Sequence, residues 1–224
     1  KNFFNKTVQG FTSNPDAFAE LQHFSDSIQF EFEVAHLPEP SLGDSIFGIV
    51  NVSVTPLREK PSHASQMVDQ AIMGYPVKLL RKVEDWYQCQ THYNYVGWIN
   101  KTAIQKETES GKKNWETSAN YRVKQLNSIM YSQPKTFSDP VSDLVLNNKL
   151  IVTKKMLKWC EIHLPDGRTG FIQSSHIQKV QPNQKLDIDE LLILSKRMMG
   201  VPYLWGGNSA KGNDCSGFTQ TVFK

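Results

Sequence analysis

Sliding this chain against itself by 73 residues brings a whole set of positions into register without a gap. Pro61 falls on Pro134, Val77 on Leu150, Leu79 on Val152 and Trp86 on Trp159. Gly97 then falls on Gly170, Trp98 on Phe171, Ile99 on Ile172 and Ile104 on Ile177. A fixed period of this kind means two copies of one module, each about 60 residues long. Within each copy, short alternating runs such as Val77-Lys-Leu-Leu-Arg-Lys-Val83 and Trp86-Tyr-Gln-Cys-Gln-Thr91 are separated by turn residues. Alternation of period two marks half-buried strands. Asp166-Gly167 is a hairpin signal, since both residues tolerate positive φ. Many short strands in so little chain predict a small β-barrel in each copy.

The stretches around the repeat differ in pattern. Residues 106–117, beginning Lys106-Glu-Thr-Glu-Ser-Gly-Lys-Lys, are polar and charged without apolar periodicity, and read as a solvated linker. Residues 1–43 hold one plausible helix, capped by Asn14 or Asp16, with Pro15 in the first turn and Phe18, Leu21 and Phe24 on one side. That helix is expected to pack on the barrels. After Pro182 the spacing becomes helical: Asp187-Ile-Asp-Glu190 reads as a capping box, Leu191, Leu194 and Met198 follow on one face, and Gly200 with Pro202 ends the helix. The expected units are therefore 1–43, a first barrel over 44–105, the linker 106–117, a second barrel over 118–181, and a further segment over 182–224.

Composition narrows the function classes. With 25 basic and 22 acidic residues the net charge is only +3, which gives no electrostatic case for nucleic-acid binding. No apolar run is long enough to span a bilayer. Lys1-Asn-Phe-Phe-Asn5 shows no signal-peptide pattern, as a trimmed mature N-terminus also would not. Of the three cysteines, Cys89 and Cys160 sit in strand patterns near Trp86 and Trp159 and read as buried small hydrophobes rather than a disulfide framework. No Cys/His spacing suggests zinc, and no metal or cofactor is expected.

The third cysteine is different. Tyr203-Leu-Trp-Gly-Gly-Asn-Ser-Ala-Lys-Gly-Asn-Asp214-Cys215-Ser216-Gly217-Phe218 places Cys215 between an acid and a hydroxyl, after a glycine-rich turn. Phe218 and Val222 lie three and seven residues on, so Cys215 is expected in the first turn of a helix. The positive end of a helix favours a thiolate, which is the nucleophilic form. This run resembles the NlpC/P60 cysteine peptidases of bacterial cell walls. The closing Gly-aromatic-Ile of each repeat, followed by a further Ile, resembles bacterial SH3 (SH3b) domains. The fold class implied is two small all-β SH3b barrels plus the N-terminal part of a papain-like α+β domain, with a short helical N-terminal segment.

Taken together, the arrangement is similar to that of γ-D-glutamyl-L-diamino acid endopeptidases. The resemblance implies Cys215 as nucleophile, Asp214 as a ligand for a free amino terminus, and Ser216 as a ligand for the D-glutamyl part. Helix capping by Asp214 is the alternative use of that residue. Tyr203 would position the scissile carbonyl, with core packing as the alternative. Glu59 and Tyr95, replaced by Ser132 and Arg168 in the second copy, would read the amino group of an N-terminal L-alanine, with Tyr93 as the fallback for Tyr95. An exposed glutamate in a loop is otherwise simply solvated. The implied substrate is a murein peptide, L-Ala-γ-D-Glu-diamino acid, cleaved to release L-Ala-D-Glu. The alternatives are an endopeptidase on polymeric peptidoglycan and a non-catalytic wall-binding protein. In the family the general base is a histidine downstream of the cysteine, whereas His23, His36, His63, His92, His163 and His176 all precede Cys215. A protein ending at Lys224 is therefore expected to be inactive, and the chain is expected to be part of a longer polypeptide. The expected compartment is the bacterial cell envelope, with the cytoplasm as the alternative; oligomeric state is open.

Overall fold

The 73-residue period is a structural one. In the computed structural model, which describes residues 6–27, 30–180 and 187–224, the first copy forms seven strands. To number them in chain order, the N-terminal unit comes first: β1 (Lys6–Thr12), α1 (Pro15–Ser27) and β2 (Phe30–His36). The first sheet is then built of β3 (Phe47–Val50), β4 (Val54–Arg58), β5 (Met67–Ile72), β6 (Pro76–Val83), β7 (Trp86–Gln90), β8 (Val96–Asn100) and β9 (Ile104–Glu107). After α2 (Glu109–Ser118), the second copy supplies β10 (Tyr121–Val123), β11 (Asn127–Tyr131), β12 (Pro140–Val145), β13 (Lys149–Lys155), β14 (Trp159–His163), β15 (Thr169–Gln173) and β16 (Ile177–Lys179). The last segment holds α3 (Ile188–Arg197), β17 (Asn208–Ser209), β18 (Gly212–Asn213) and α4 (Cys215–Phe223).

The sheet orders are β5-β4-β8-β7-β6-β3-β9 and β12-β11-β15-β14-β13-β10-β16, the same path traced twice. Even the irregularities recur: register shifts at Leu57/Arg58 and Leu79/Arg81 match those at Met130/Tyr131 and Val152/Lys154. Each sheet closes over its own core. Leu57, Val77, Leu79, Cys89 and Ile99 fill the first, and Met130, Leu150, Cys160, Ile162 and Ile172 the second. These are the apolar members of the alternating runs, so the period-two pattern reports burial faithfully here. Cys89 and Cys160 are buried and free.

Two expectations are corrected. The N-terminal segment is not simply helical: β1 and β2 pair in parallel from Lys6↔Phe30 to Thr12↔His36, with α1 between them. The alternation in Phe30-Glu-Phe-Glu-Val34 carried that strand signal. Asn14 Oδ1 does cap α1, accepting from the N–H of Asp16 at 2.9 Å. The stretch 106–117 is structured too. Its start completes β9, and the rest is α2, capped by Thr108 Oγ1 on the Gly111 N–H at 3.2 Å. Helix α2 lacks an apolar stripe because it is held by polar means: Lys112 pairs with Glu116 at 3.1 Å, and Trp115 Nε1 donates to Gly74 O at 2.8 Å.

The two sheets and the last segment are bonded directly. Lys149 N–H donates to Met73 O at 3.0 Å, and Asn148 Nδ2 to Ser53 O at 2.9 Å. Arg168, the counterpart of Tyr95, donates from Nη2 to Asn51 O at 2.5 Å while Nε holds Asp166 at 2.7 Å. Asp187 caps α3 through the Asp189 N–H at 2.9 Å, one residue earlier than a capping box would close. Helices α3 and α4 meet over Leu146, Met198, Ala210 and Val222. Among the described residues no helix is long and apolar enough to cross a membrane.

Candidate active site

Cys215 is the first residue of α4 and is exposed, unlike the other two cysteines. The sequence spacing placed it in a first turn, and the cap explains why the helix starts there. Asp214 Oδ1 accepts from the Gly217 N–H at 2.7 Å and from the Ser216 hydroxyl at 2.7 Å, while Oδ2 accepts from the Gly206 N–H at 3.1 Å. Partial burial pushes the Asp214 carboxyl up, but these hydrogen bonds outweigh it and leave its pKa below the usual carboxylate value. The capping use of Asp214 is therefore real, and the same carboxylate lines a pocket.

Two glycines set the approach of α4. A Cβ on Gly217 would lie 1.8 Å from Gly207 O, so the helix start is pressed onto the turn before β17. Gly206 has φ +70 and a Cβ there would lie 2.9 Å from Val68 C, so the same turn abuts β5 of the first sheet. Two repeat-related positions grip this segment. Gln70 Oε1 accepts from the Asn208 N–H and the Ser209 hydroxyl, each at 2.9 Å. Its counterpart 73 residues on, Asp143, holds Lys211 and accepts from Ser53 Oγ at 2.6 Å.

Between α4 and the first sheet lies a pocket of about 220 Å³. Its walls are Val68 and Asp69 of β5, Tyr93 and Tyr95 of the β7–β8 loop, and the stretch Trp205 to Gly207 with Asp214, Ser216, Gly217 and Gln220. Of the residues expected from sequence, Tyr95, Asp214 and Ser216 are brought together here. Tyr95 closes its loop through N–H to Thr91 Oγ1 at 3.0 Å, with Asn94 at φ 67. Gly167 takes the equivalent place in the second copy at φ 84, so Tyr95 and Arg168 are true counterparts. Tyr203 does not line the pocket; it is 69% exposed and bridges to Asn213. Glu59 lies just beyond β4, exposed, with its N–H on Gln66 O at 3.0 Å, and is not among the lining residues.

Asp69, Gln70, Asn208 and Trp205 were not singled out from sequence. Asp69 is only 7% exposed and accepts from the Tyr93 hydroxyl at 2.5 Å and the Gln70 N–H at 2.8 Å. Burial raises its carboxyl above the ordinary value, although the Tyr93 and Gln70 hydrogen bonds work the other way. The Tyr93 hydroxyl is pushed upward, first by its own burial and then by the Asp69 charge, so it remains a donor. Asn208 Nδ2 donates to Tyr93 Oη at 3.3 Å and Gln220 Oε1 at 3.1 Å, tying the first sheet to α4. Trp205 adds an exposed ring at the rim. The signal for Asp69 and Gln70 was a pair of polar residues at the end of the Met67-Val68 run; without the last segment in place, they read as solvent-facing.

None of the six histidines lines the pocket. His36, His63 and His92 pack against Phe18, Trp86 and Tyr75, and His176 Nδ1 meets Ser128 Oγ at 2.8 Å. No group of three or more His, Cys, Asp and Glu side chains suited to a metal ion occurs among the described residues.

Residues 57–104 match the bacterial dipeptidyl-peptidase SH3 domain, and residues 200–224 match the NlpC/P60 family. The exposed cysteine at a capped helix start thus lies in the stretch that matches the NlpC/P60 family, and the first sheet in the stretch that matches a bacterial SH3 domain. The chain is homologous to γ-D-glutamyl-L-lysine dipeptidyl-peptidases. It is 24% identical to the Bacillus cereus γ-D-glutamyl-L-lysine dipeptidyl-peptidase over 73% of this chain and 51% of that protein, so it spans about half that relative's length. It is 23% identical to dipeptidyl-peptidase 6 of Lysinibacillus sphaericus, over 78% of this chain and 68% of that one. The fold is similar to the crystal structure of an NlpC/P60 family protein from Bacillus cereus, with a TM-score of 0.68, 19% identity, and 79% and 71% of the two chains covered. An NlpC/P60 endopeptidase from Photobacterium damselae subsp. piscicida gives a TM-score of 0.60 at 16% identity, covering 84% of this chain and 44% of that one.

Proposed function

We propose that this protein is a cysteine peptidase that hydrolyses the γ-D-glutamyl–diamino acid bond of murein peptides bearing a free N-terminal L-alanine, releasing L-Ala-D-Glu. The observation that carries this reading is the pocket beside Cys215, bounded by the first sheet and lined by carboxylates, tyrosines and a tryptophan. The names of the homologues support the same chemistry. In this mechanism the Cys215 thiolate attacks the γ-carbonyl, the C–N bond breaks with a proton delivered to the leaving amine, and water hydrolyses the thioester. The Gly217 N–H is committed to Asp214, so the N–H of Cys215 itself is assigned to the oxyanion. In this reading Ser216 is assigned to the glutamyl part and Tyr203 to the scissile carbonyl. Tyr95 and Asp214, with Glu59 at the hairpin beyond β4, form the amine-facing end. No residue among those described is assigned the general base. The second sheet is read as a second SH3b domain, the last segment as the start of a papain-like domain, and the cell envelope as the compartment.

A second reading, action on polymeric peptidoglycan with the second sheet as an anchor, draws on one observation. Phe137 and Leu157 protrude from the second sheet at 93% and 95% exposure, where the first copy has Ala64 and Glu84. The test uses the full-length protein with L-Ala-γ-D-Glu-diaminopimelate, its N-acetylated form and intact sacculi, following L-Ala-D-Glu by mass spectrometry with Cys215→Ala as control. Cleavage of the free-amine peptide alone supports the recycling peptidase; release from sacculi at a comparable rate supports the second reading.

A further inference from the structure

We propose that the second sheet docks on anionic phospholipid membranes through Phe137 and Leu157, with Lys135 and Lys158 set against the lipid headgroups; this does not depend on the peptidase reading above. The two copies supply an internal comparison, because they share one framework and differ at one corner. In the second copy the loop after β11 is closed on itself: Ser132 N–H donates to Asp139 O at 2.9 Å, and Ser138 Oγ to Lys135 O at 2.9 Å. Phe137 is left outside it at 93% exposure. Met156 N–H donates to Trp159 O at 2.8 Å and closes the β13–β14 turn, whose tip holds Lys158 and Leu157, the latter 95% exposed. The two loops are neighbours at their bases. The Tyr131 and Trp159 rings meet there with centroids 5.9 Å apart. In the first copy the ring of His63, from the equivalent loop, stands 4.8 Å from that of Trp86.

What changes between the copies is the chemistry of this corner. Ala64 is replaced by Phe137 and Ser62 by Lys135, and the acidic pair Glu84-Asp85 by Leu157-Lys158. In the first copy Lys101 holds Asp85 at 2.7 Å; the corresponding residues are Ser174 and Lys158, so that pair has no equivalent. Among the described residues neither Lys135 nor Lys158 forms an ion pair. Residues 118–181 carry nine basic and four acidic side chains, against six and five over 44–105, so the positive charge favours an anionic partner. Two apolar tips are too little area for a stable protein interface, which buries about 800 Å² on each partner. A soluble polyanion would use the lysines and leave both apolar tips in water. A bilayer uses both: the tips enter the boundary between headgroups and acyl chains, and the ammonium groups stay at the anionic surface.

The experiment mixes full-length protein with vesicles of phosphatidylcholine alone, with vesicles of equal parts phosphatidylcholine and phosphatidylglycerol, and with isolated sacculi, and reads the sedimented fraction. Binding is expected to favour the mixed vesicles over both other surfaces and to fall as salt rises. Phe137→Ala with Leu157→Glu, which installs the first copy's residues, is expected to weaken that binding about tenfold or more. Lys135→Ser and Lys158→Ser are each expected to weaken it about fivefold. All four side chains are exposed and lie outside the pocket at Cys215, so thermal melts of the variants are expected to match the parent. Absence of binding to the mixed vesicles overturns the proposal, as does equal binding to both vesicle types. Binding that ignores the apolar substitutions also overturns it, marking a general charge contact. Stronger binding to sacculi than to mixed vesicles overturns it in favour of a wall polymer as the partner.

Discussion

Met73 and Leu146 stand 73 residues apart, at the same place in the two copies, and each is buried in a core belonging to the next unit. Met73 leaves the end of β5 and enters the second core beside Val123 and Met130. Leu146 leaves the end of β12 and joins Met198, Ala210 and Val222 under α3 and α4. The turns that deliver them are bonded alike: Gly74 N–H to Val50 O at 2.8 Å, and Asn147 N–H to Val123 O at 2.9 Å. One device, used twice, joins three units in series.

Truncating either plug tests that coupling. Met73→Ala and Leu146→Ala are each expected to cost about 2–5 kcal/mol, because both side chains are almost fully buried and a cavity would remain. Denaturant melts of the full-length protein check the size. Leu146→Ala should also lower activity, since it loosens α4 and hence Cys215; Met73→Ala should leave activity at unchanged folded fraction.

Alkylation should distinguish the three thiols. Cys215 is exposed while Cys89 and Cys160 are buried, and burial drives the Cys89 thiol far up. Brief iodoacetamide treatment of native protein is expected to modify the Cys215 peptide and spare the other two, as read by peptide mapping; all three react after unfolding.

Gly217→Ala is expected to abolish activity. The added Cβ would collide with Gly207 O at 1.8 Å, a backbone atom that can move only by lifting α4 off its turn. Peptide cleavage measures it, and near-normal turnover would mean that this helix–turn contact is not needed to hold Cys215.

Asp69 and Asp214 should give stability profiles of opposite sign. The folded-state carboxyl of Asp69 is raised by burial, so from the ordinary carboxylate value of 3.8 upward the folded chain holds a proton that the unfolded chain has lost. Its contribution therefore falls as pH rises from 3.8 through the raised folded-state value, and Asp69→Asn should gain on wild type as pH rises through that window. Tyr93, Lys224 and Asp214 face the group and set how wide the window is. Asp214 is lowered, so its contribution is present above 3.8 and lost as pH falls through its folded value. Asp214→Asn, which keeps the Oδ1 acceptor but removes the charge, should be most destabilising at neutral pH, with the deficit closing in acid. Melts at several pH values read both.

The repeat was legible because burial in a small sheet repeats residue by residue: Leu79 and Val152, or Ile99 and Ile172, are apolar for the same reason. The start of α4 was legible because a cap and a helix face are local. What escaped was whatever depends on a neighbour. Helix α2 is fixed by Thr108, ion pairs and one tryptophan reaching the first sheet, none of which produces a hydrophobic period. Asp69 and Gln70 are buried because β17 covers an edge strand, so their polarity, which reads as exposure in a single strand, marks contact between units. Glu59 shows the converse, since the motif around it was recognisable while the pocket wall is formed ten residues further on.

The direction of the plugs matters for how such a chain comes into being. Met73 precedes the core it completes, and so does Leu146. A ribosome working from the N-terminus therefore releases each plug before the barrel or helix pair that will close around it. The first sheet matures without waiting for anything, and each later unit condenses on a side chain already held in place. The nucleophile helix follows both sheets, onto a platform that is finished when it arrives.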